Sequence, residues 1–157
     1  MPDETVFIYW DACVLLSYVN GTADRLPHLD AFLEKSGKSI QLITSAVSIV
    51  EVAFAKAEQD GKMLDDATEK KISRLWTSNS PIKLIEYYRL IGEGAKNLMR
   101  DAISQGWKLK PLDAIHLSTA RSFKVAEFHT YSNDLHKYAT IVGYKIGPPI
   151  AEQPKLI

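Results

Sequence analysis

Val6-Phe7-Ile8-Tyr9-Trp10-Asp11-Ala12-Cys13-Val14-Leu15-Leu16 is an apolar run that stops on a carboxylate and then resumes. Residues 5–10 are rich in β-branched and aromatic side chains and read as a buried strand. Residues 12–18 fit a short helix, stopped by Asn20-Gly21. Asp11 therefore falls where a strand hands over to a helix. In an open α/β sheet that handover lies on the rim outside the carboxyl ends of the strands, where ligands bind.

Outward from this stretch the chain alternates the same two patterns. Strands are expected at 39–44, 82–86, 126–130 and 144–146. Helices are expected at 23–35, 48–60, 65–76, 88–105, 111–124 and 135–141, with Gly61 and Gly106 as stops and Pro111 in a first turn, where its missing N–H does no harm. The alternation implies an α/β fold with a mostly parallel central sheet flanked by helices on both faces. One domain is expected over 1–147. Residues 148–157, with Pro148, Pro149 and Pro154, form an extended C-terminal tail.

Length and composition set bounds. A chain of 157 residues is enough for one domain that buries roughly 70% of its unfolded surface. Hydrophobic residues at 46% and charged residues at 24% are ordinary for a soluble globular protein, and no apolar run is long enough to span a bilayer. Met1-Pro2-Asp3-Glu4 lacks the basic start of a secretory signal, and the lone Cys13 excludes an internal disulfide and fits a reducing, cytoplasmic compartment. Nineteen Lys and Arg balance nineteen Asp and Glu, which argues against a broad nucleic-acid footprint. Between residues 94 and 137 the balance tips. Lys96, Arg100, Lys108, Lys110, Arg121, Lys124 and Lys137 face Asp101, Asp113, Glu127 and Asp134, an excess that fits a phosphate-facing patch and equally a solvated face.

Four acids stand out. Asp11, Glu51 and Asp134 each follow an expected strand directly, so all three should reach one rim. Asp113 opens the helix before the strand at 126–130 and can lean in. Each has a bland reading. Asp11 and Asp134 suit helix N-caps, and Asp113 suits the dipole of a first turn. Glu51 is flanked by apolar residues on nearly every helical side, and a buried carboxylate needs a partner. Two carboxylates about 4 Å apart repel by roughly 4 kcal/mol at an effective dielectric of 20, so a cluster calls for protons or cations. Oxygen-only ligands point to Mg²⁺ or Mn²⁺ rather than zinc, and such ions serve phosphate chemistry.

Asp11 in Tyr-Trp-Asp-Ala-Cys-Val-Leu-Leu, Glu51 in Ser-Ile-Val-Glu-Val and Asp113 in Leu-Asp-Ala-Ile-His-Leu-Ser-Thr-Ala resemble, in order, spacing and chain length, the acidic motifs of the PIN domain. The resemblance covers nearly the whole chain and is closest to the VapC-like toxin ribonucleases. It implies a Mg²⁺- or Mn²⁺-dependent endoribonuclease that cuts RNA and is held inactive by a partner antitoxin. Asp11, Glu51 and Asp113 would hold the main ion. Two positions depart from the family pattern. Cys13 stands where members carry Asn or Ser. Ser132 stands at the acid position of the family's Thr-x-Asp pattern, with Asp134 matching a secondary acid. Either Asp134 substitutes, or Ser132 and Thr130 hold a metal-bound water.

Other signals carry less. Gly92-Glu93-Gly94 opens like a dinucleotide fingerprint but lacks the third glycine and lies inside a helix pattern. His116, three residues after Asp113 on roughly the same helical face, is either a soft ligand or, as the better reading, a packed or hydrogen-bonded histidine; His129 and His136 flank the last motif and either touch phosphate or, as the better reading, are solvent-exposed; and Cys13 reads as a small core residue. Trp10, Trp76 and Trp107 read as packing, although Trp107 sits in a basic loop. The helices at 23–35 and 48–60 carry apolar surface enough for a partner groove or a homodimer face, or simply for core. Two rival functions remain: a PIN-like protein with a weakened site acting as a non-catalytic RNA- or protein-binding module, and a phospho-acceptor module built on Asp11. The latter would want a lysine and a phosphate loop after a strand, and neither is evident.

Overall fold

In β1 (Val6–Trp10), Ile8 and Trp10 face one layer of helices while Tyr9 and Phe7 face the other, the period of two that a strand buried on both sides requires. The computed structural model describes residues 4–156. After β1 come α1 (Ala12–Asn20), α2 (Leu26–Lys35), β2 (Ile40–Ser45), α3 (Ser48–Glu51), α4 (Lys56–Gly61) and α5 (Asp66–Arg74). Then follow β3 (Ile82–Ile85), α6 (Arg89–Ser104), α7 (Pro111–Ser122), β4 (Glu127–His129), a 3-10 helix (Asn133–Tyr138), α8 (Ala139–Val142) and β5 (Lys145–Gly147).

The five strands form one parallel sheet in the order β3-β2-β1-β4-β5, with Tyr9 level with Ile43 on one side and Phe128 on the other. β1 is thus central, and the order reverses beside it. One apolar layer packs Tyr9, Ile43, Phe128 and Ile146 against α6, α7 and the 3-10 helix. The other packs Ile8, Trp10, Leu42 and Ile82 against α1, α2 and α5. Leu15 and Leu29 are fully buried there, each worth about 1.5–3 kcal/mol. α1 ends at Gly21, whose φ of 68° gives the left-handed cap a side chain would resist.

The expected helix at 48–60 is two helices. Val52 leaves helical geometry at φ −108° and ψ 37°, and α4 restarts after Ala55. The break is held by Glu58, a buried carboxylate that accepts the Ala55 N–H at 3.1 Å and the Asp65 N–H at 2.9 Å. Likewise 135–141 is a 3-10 helix followed by the single turn α8. Residues 148–156 have no helix or strand but are anchored. The Ala151 N–H donates to His28 Nδ1 at 2.9 Å, and the Lys155 N–H donates to the Pro27 carbonyl at 2.9 Å, laying the segment along α2. Among the described residues no helix is long and apolar enough to cross a membrane.

The glycines at 92 and 94 serve packing rather than phosphate binding. A Cβ on Gly94 would stand 2.5 Å from Ser118 Oγ, so the missing side chain lets α6 lie close against α7.

Candidate active site

Asp11 follows β1 and caps α1. Its Oδ1 accepts the Val14 N–H at 3.3 Å and the Cys13 thiol at 2.8 Å. The cap reading and the site reading hold together, because the carboxylate is only 6% exposed. Burial pushes its pKa up. The hydrogen bonds from Cys13 and Thr130 and the field of His116 work against that rise.

Glu51 closes α3, just beyond β2. The partner it requires is His116 on α7, whose Nε2 is 2.5 Å from Glu51 Oε1. The histidine is 1% exposed, and its Nδ1 lies 2.5 Å from the Tyr9 hydroxyl. The Glu51 carboxylate can only accept, so in the neutral imidazole Nε2 carries the proton and Nδ1 accepts from the Tyr9 hydroxyl, whose oxygen also accepts the Ser45 N–H at 2.9 Å. A chain of hydrogen bonds thus runs from the end of β2 through the sheet's central strand to a rim carboxylate. His116 is hydrogen-bonded, as its sequence position suggests, and it stands beside the acids; its partners Glu51 and Tyr9 are what the sequence did not show. The spacing of three from Asp113 was the available signal.

Asp113 stands half-buried in the first turn of α7. Burial pushes its carboxyl up, His116 pulls it down, and the charges of Asp11 and Glu51 push it up further. Three acids from three elements, 102 residues apart at the extremes (113 − 11), therefore share one electrostatic neighbourhood. Asp134 differs. It is exposed on the 3-10 helix and makes no hydrogen bond or ion pair among the described residues. Thr130 is fully buried and accepts the Ser132 N–H at 3.1 Å, while Ser132, half-buried, caps the 3-10 helix.

Three expectations need correction. Cys13 is not merely core filling. Its thiol donates to Asp11, lies 3.4 Å from Thr130 Oγ1 and accepts the Tyr131 N–H at 3.2 Å, joining β1 to the segment after β4. Burial, then the charge of Asp11 beside it, pushes the thiol up to about 12, so it stays protonated and able to donate. His129 is not solvent-exposed. At 1% exposure it accepts the Trp10 indole N–H at 3.0 Å and packs edge-on to Phe32. His136 is half-buried. The tryptophans do pack, with Trp10 fully buried and Trp107 edge-on to Tyr138. Around α3 and α4, Val50, Phe54, Met63 and Leu64 leave apolar surface exposed beside a cavity of about 340 Å³ lined by Ile49, Val52, Ile72 and Trp76.

The donor set suits a hard divalent cation in kind. Its ligands are carboxylate oxygens, and two of the three are held above the usual range by burial and, for Asp113, by its acidic neighbours, which a cation would relieve. Among the described residues no three His, Cys, Asp or Glu side chains are close enough to enclose an ion in this conformation, in which Glu51 is engaged by His116.

Comparison with known proteins places the chain in context. The PIN domain family model matches residues 8–141. No curated protein matches. Among solved structures, VapBC2 from Rickettsia felis bound to a promoter DNA fragment aligns over 90% of this chain and 97% of its own, with 13% identity and a TM-score of 0.66. A DNA-bound VapBC from Salmonella typhimurium aligns over 94% and 100%, at 14% and 0.64. A toxin–antitoxin complex from Klebsiella pneumoniae aligns over 91% and 98%, at 20% and 0.58.

Proposed function

Because the chain belongs to the PIN domain family, we propose that it is a metal-dependent endoribonuclease that hydrolyses RNA phosphodiester bonds, the toxin of a toxin–antitoxin pair. What supports this reading is placement: Asp11 follows β1, Glu51 closes the helix after β2, and Asp113 stands in the first turn of α7 three residues before the histidine that holds Glu51. Asp11, Glu51 and Asp113 would hold Mg²⁺ or Mn²⁺, with Asp134, Ser132 or Thr130 contacting bound water or phosphate. The ion would supply a low-pKa water as nucleophile and charge relief at the phosphate. The protein's own part is orientation. Asp11 is fixed by its cap and by Cys13, and Glu51 by His116 and Tyr9. Its partners would be the RNA substrate and an antitoxin seated on exposed apolar surface, with a homodimer as a further assembly. The complexes formed by the structural neighbours support the antitoxin. The lone Cys13 supports a cytoplasmic setting.

The test is cleavage of a mixed RNA pool with Mg²⁺ or Mn²⁺, run beside EDTA and Asp113→Asn. Cleavage lost in both controls is the expected result, and cleavage that persists in either refutes the site. A second reading takes support from Ser132 at the family's acid position and from the capture of Glu51 by His116: a non-catalytic RNA- or protein-binding module. It predicts folded protein that cuts nothing with either ion and binds RNA in EDTA, and Ser132→Asp is then the restoring change to make.

A further inference from the structure

α6 carries Lys96, Arg100 and Ile103 at spacings of four and three, so the three lie along one face of its C-terminal half. The loop that follows runs through Lys108, Leu109 and Lys110 into α7. Leu109 is buried in the core, and the two lysines on either side of it are exposed. Between helix and loop lies a groove of about 670 Å³ lined by these six residues with Met99 and Pro111. Its walls hold four cations and no acid, and none of the four is in an ion pair among the described residues. Between the cations its lining is apolar, with Leu109 buried and Ile103 69% exposed. Asp101, adjacent in sequence to Arg100, does not line it. The groove ends at Lys110 and Pro111, the cap and first residue of α7, whose first turn carries Asp113.

We propose that this groove binds one arm of a single-stranded RNA on its way to the carboxylates, with phosphates on Lys96, Arg100, Lys108 and Lys110 and a base on Ile103. The occupant follows from the combination. Unpaired cations at intervals along an open channel suit a polyanion, and the exposed apolar side chain between them suits contact with a base face rather than a lone phosphate. This concentrates the chain's local basic excess in one place, although its net charge is zero. The inference rests on the ribonuclease reading for its direction of travel, but binding can be measured without cleavage.

The experiment is fluorescence anisotropy of a 5′-labelled oligoadenylate in EDTA, titrated at several salt concentrations. Lys96→Gln/Arg100→Gln should bind about 25-fold more weakly at 0.1 M salt, with the slope of log K against log salt falling by about 1.4, the contribution of two phosphate contacts to a single strand. Both positions are exposed and glutamine is a good helix former, so an unchanged thermal melt shows the fold intact. Ile103→Ser should weaken oligoadenylate binding and leave competition by inorganic polyphosphate unchanged. Parental affinity and salt slope in the double variant overturn the groove, whatever the cleavage assay gives. So does a loss confined to a polyglutamate peptide, which would make the groove a protein-docking site. Loss of binding beside a failed cleavage test keeps the groove and removes the nuclease.

Discussion

The Tyr9 hydroxyl has no room for compromise. It is fully buried, it takes the Ser45 N–H, and it gives its proton to His116 Nδ1. Tyr9→Phe removes that one oxygen and keeps the ring stacked on Phe128, whose centroid is 4.9 Å away at an interplanar angle of 6°. Two buried polar groups then lose their partner at once. At about 1–3 kcal/mol for each orphaned group, the loss should be about 3 kcal/mol, or about 6–12 °C in Tm for a chain of this size. The effect on function follows from the orientation of the imidazole. Without the phenolic oxygen, His116 Nδ1 loses its partner, and the ring that holds Glu51 through Nε2 is fixed from one side only. Metal-dependent cleavage should fall about 10–100-fold, the usual cost of losing an outer-shell support. His116→Gln places an amide N–H where Nε2 stood and dispenses with Tyr9. In that background Tyr9→Phe should cost at least about 1 kcal/mol less than in the parent, a coupling that a double-mutant cycle in urea reads directly. Additive costs, or a Tyr9→Phe protein that melts and cuts like the parent, would refute the relay.

Other outcomes follow from single residues. Asp11 and Asp113 hold their protons to higher pH folded than unfolded, so in EDTA the contribution of these two groups to stability should be fully present below the ordinary carboxyl range and be lost as pH rises through the raised values, opposite in sign to that of Glu127, whose carboxyl is held down by His129. Asp11→Asn keeps an equivalent cap and should flatten that part of the Tm–pH curve, leaving the variant more stable than the parent at neutral pH while abolishing cleavage. Gly94→Ala should cost about 1–3 kcal/mol despite the better helix former, because the new methyl meets Ser118 Oγ, and Ser118→Ala should restore part of it in a denaturant titration. Glu58→Ala orphans the Ala55 and Asp65 N–H groups and should cost about 2–4 kcal/mol by thermal melt, with Glu58→Gln milder because one acceptor oxygen remains.

The parts of this fold that were legible in sequence are those written locally. The run from Val6 to Trp10 announces a strand because β-branched and aromatic side chains crowd it. Asp11 announces an edge because the apolar run breaks on a charge. What escaped was written across distance. Nothing near Glu58 shows that its carboxylate will serve an N–H seven residues on, so 48–60 looked like one helix. His129 looks like a polar strand end until Trp10, 119 residues away, is seen to donate to it. His116 and Glu51, 65 residues apart, each have an innocent local reading, and only the fold joins them. Cys13 was judged by its apolar neighbours, whereas its hydrogen bonds come from the turn after β4 and from Asp11.

The central position of β1 also has a consequence in time. β1 pairs on one edge with β2, close to it in the chain, but its other edge pairs with β4, more than a hundred residues later. Until then Asp11 and Glu51 exist without Asp113, and Glu51 without the histidine that aims it. A nascent or prematurely terminated chain therefore contains two of the three acids and no assembled centre. Whatever the rim does waits on α7 and β4, the elements that bring Asp113, His116 and the second edge of β1.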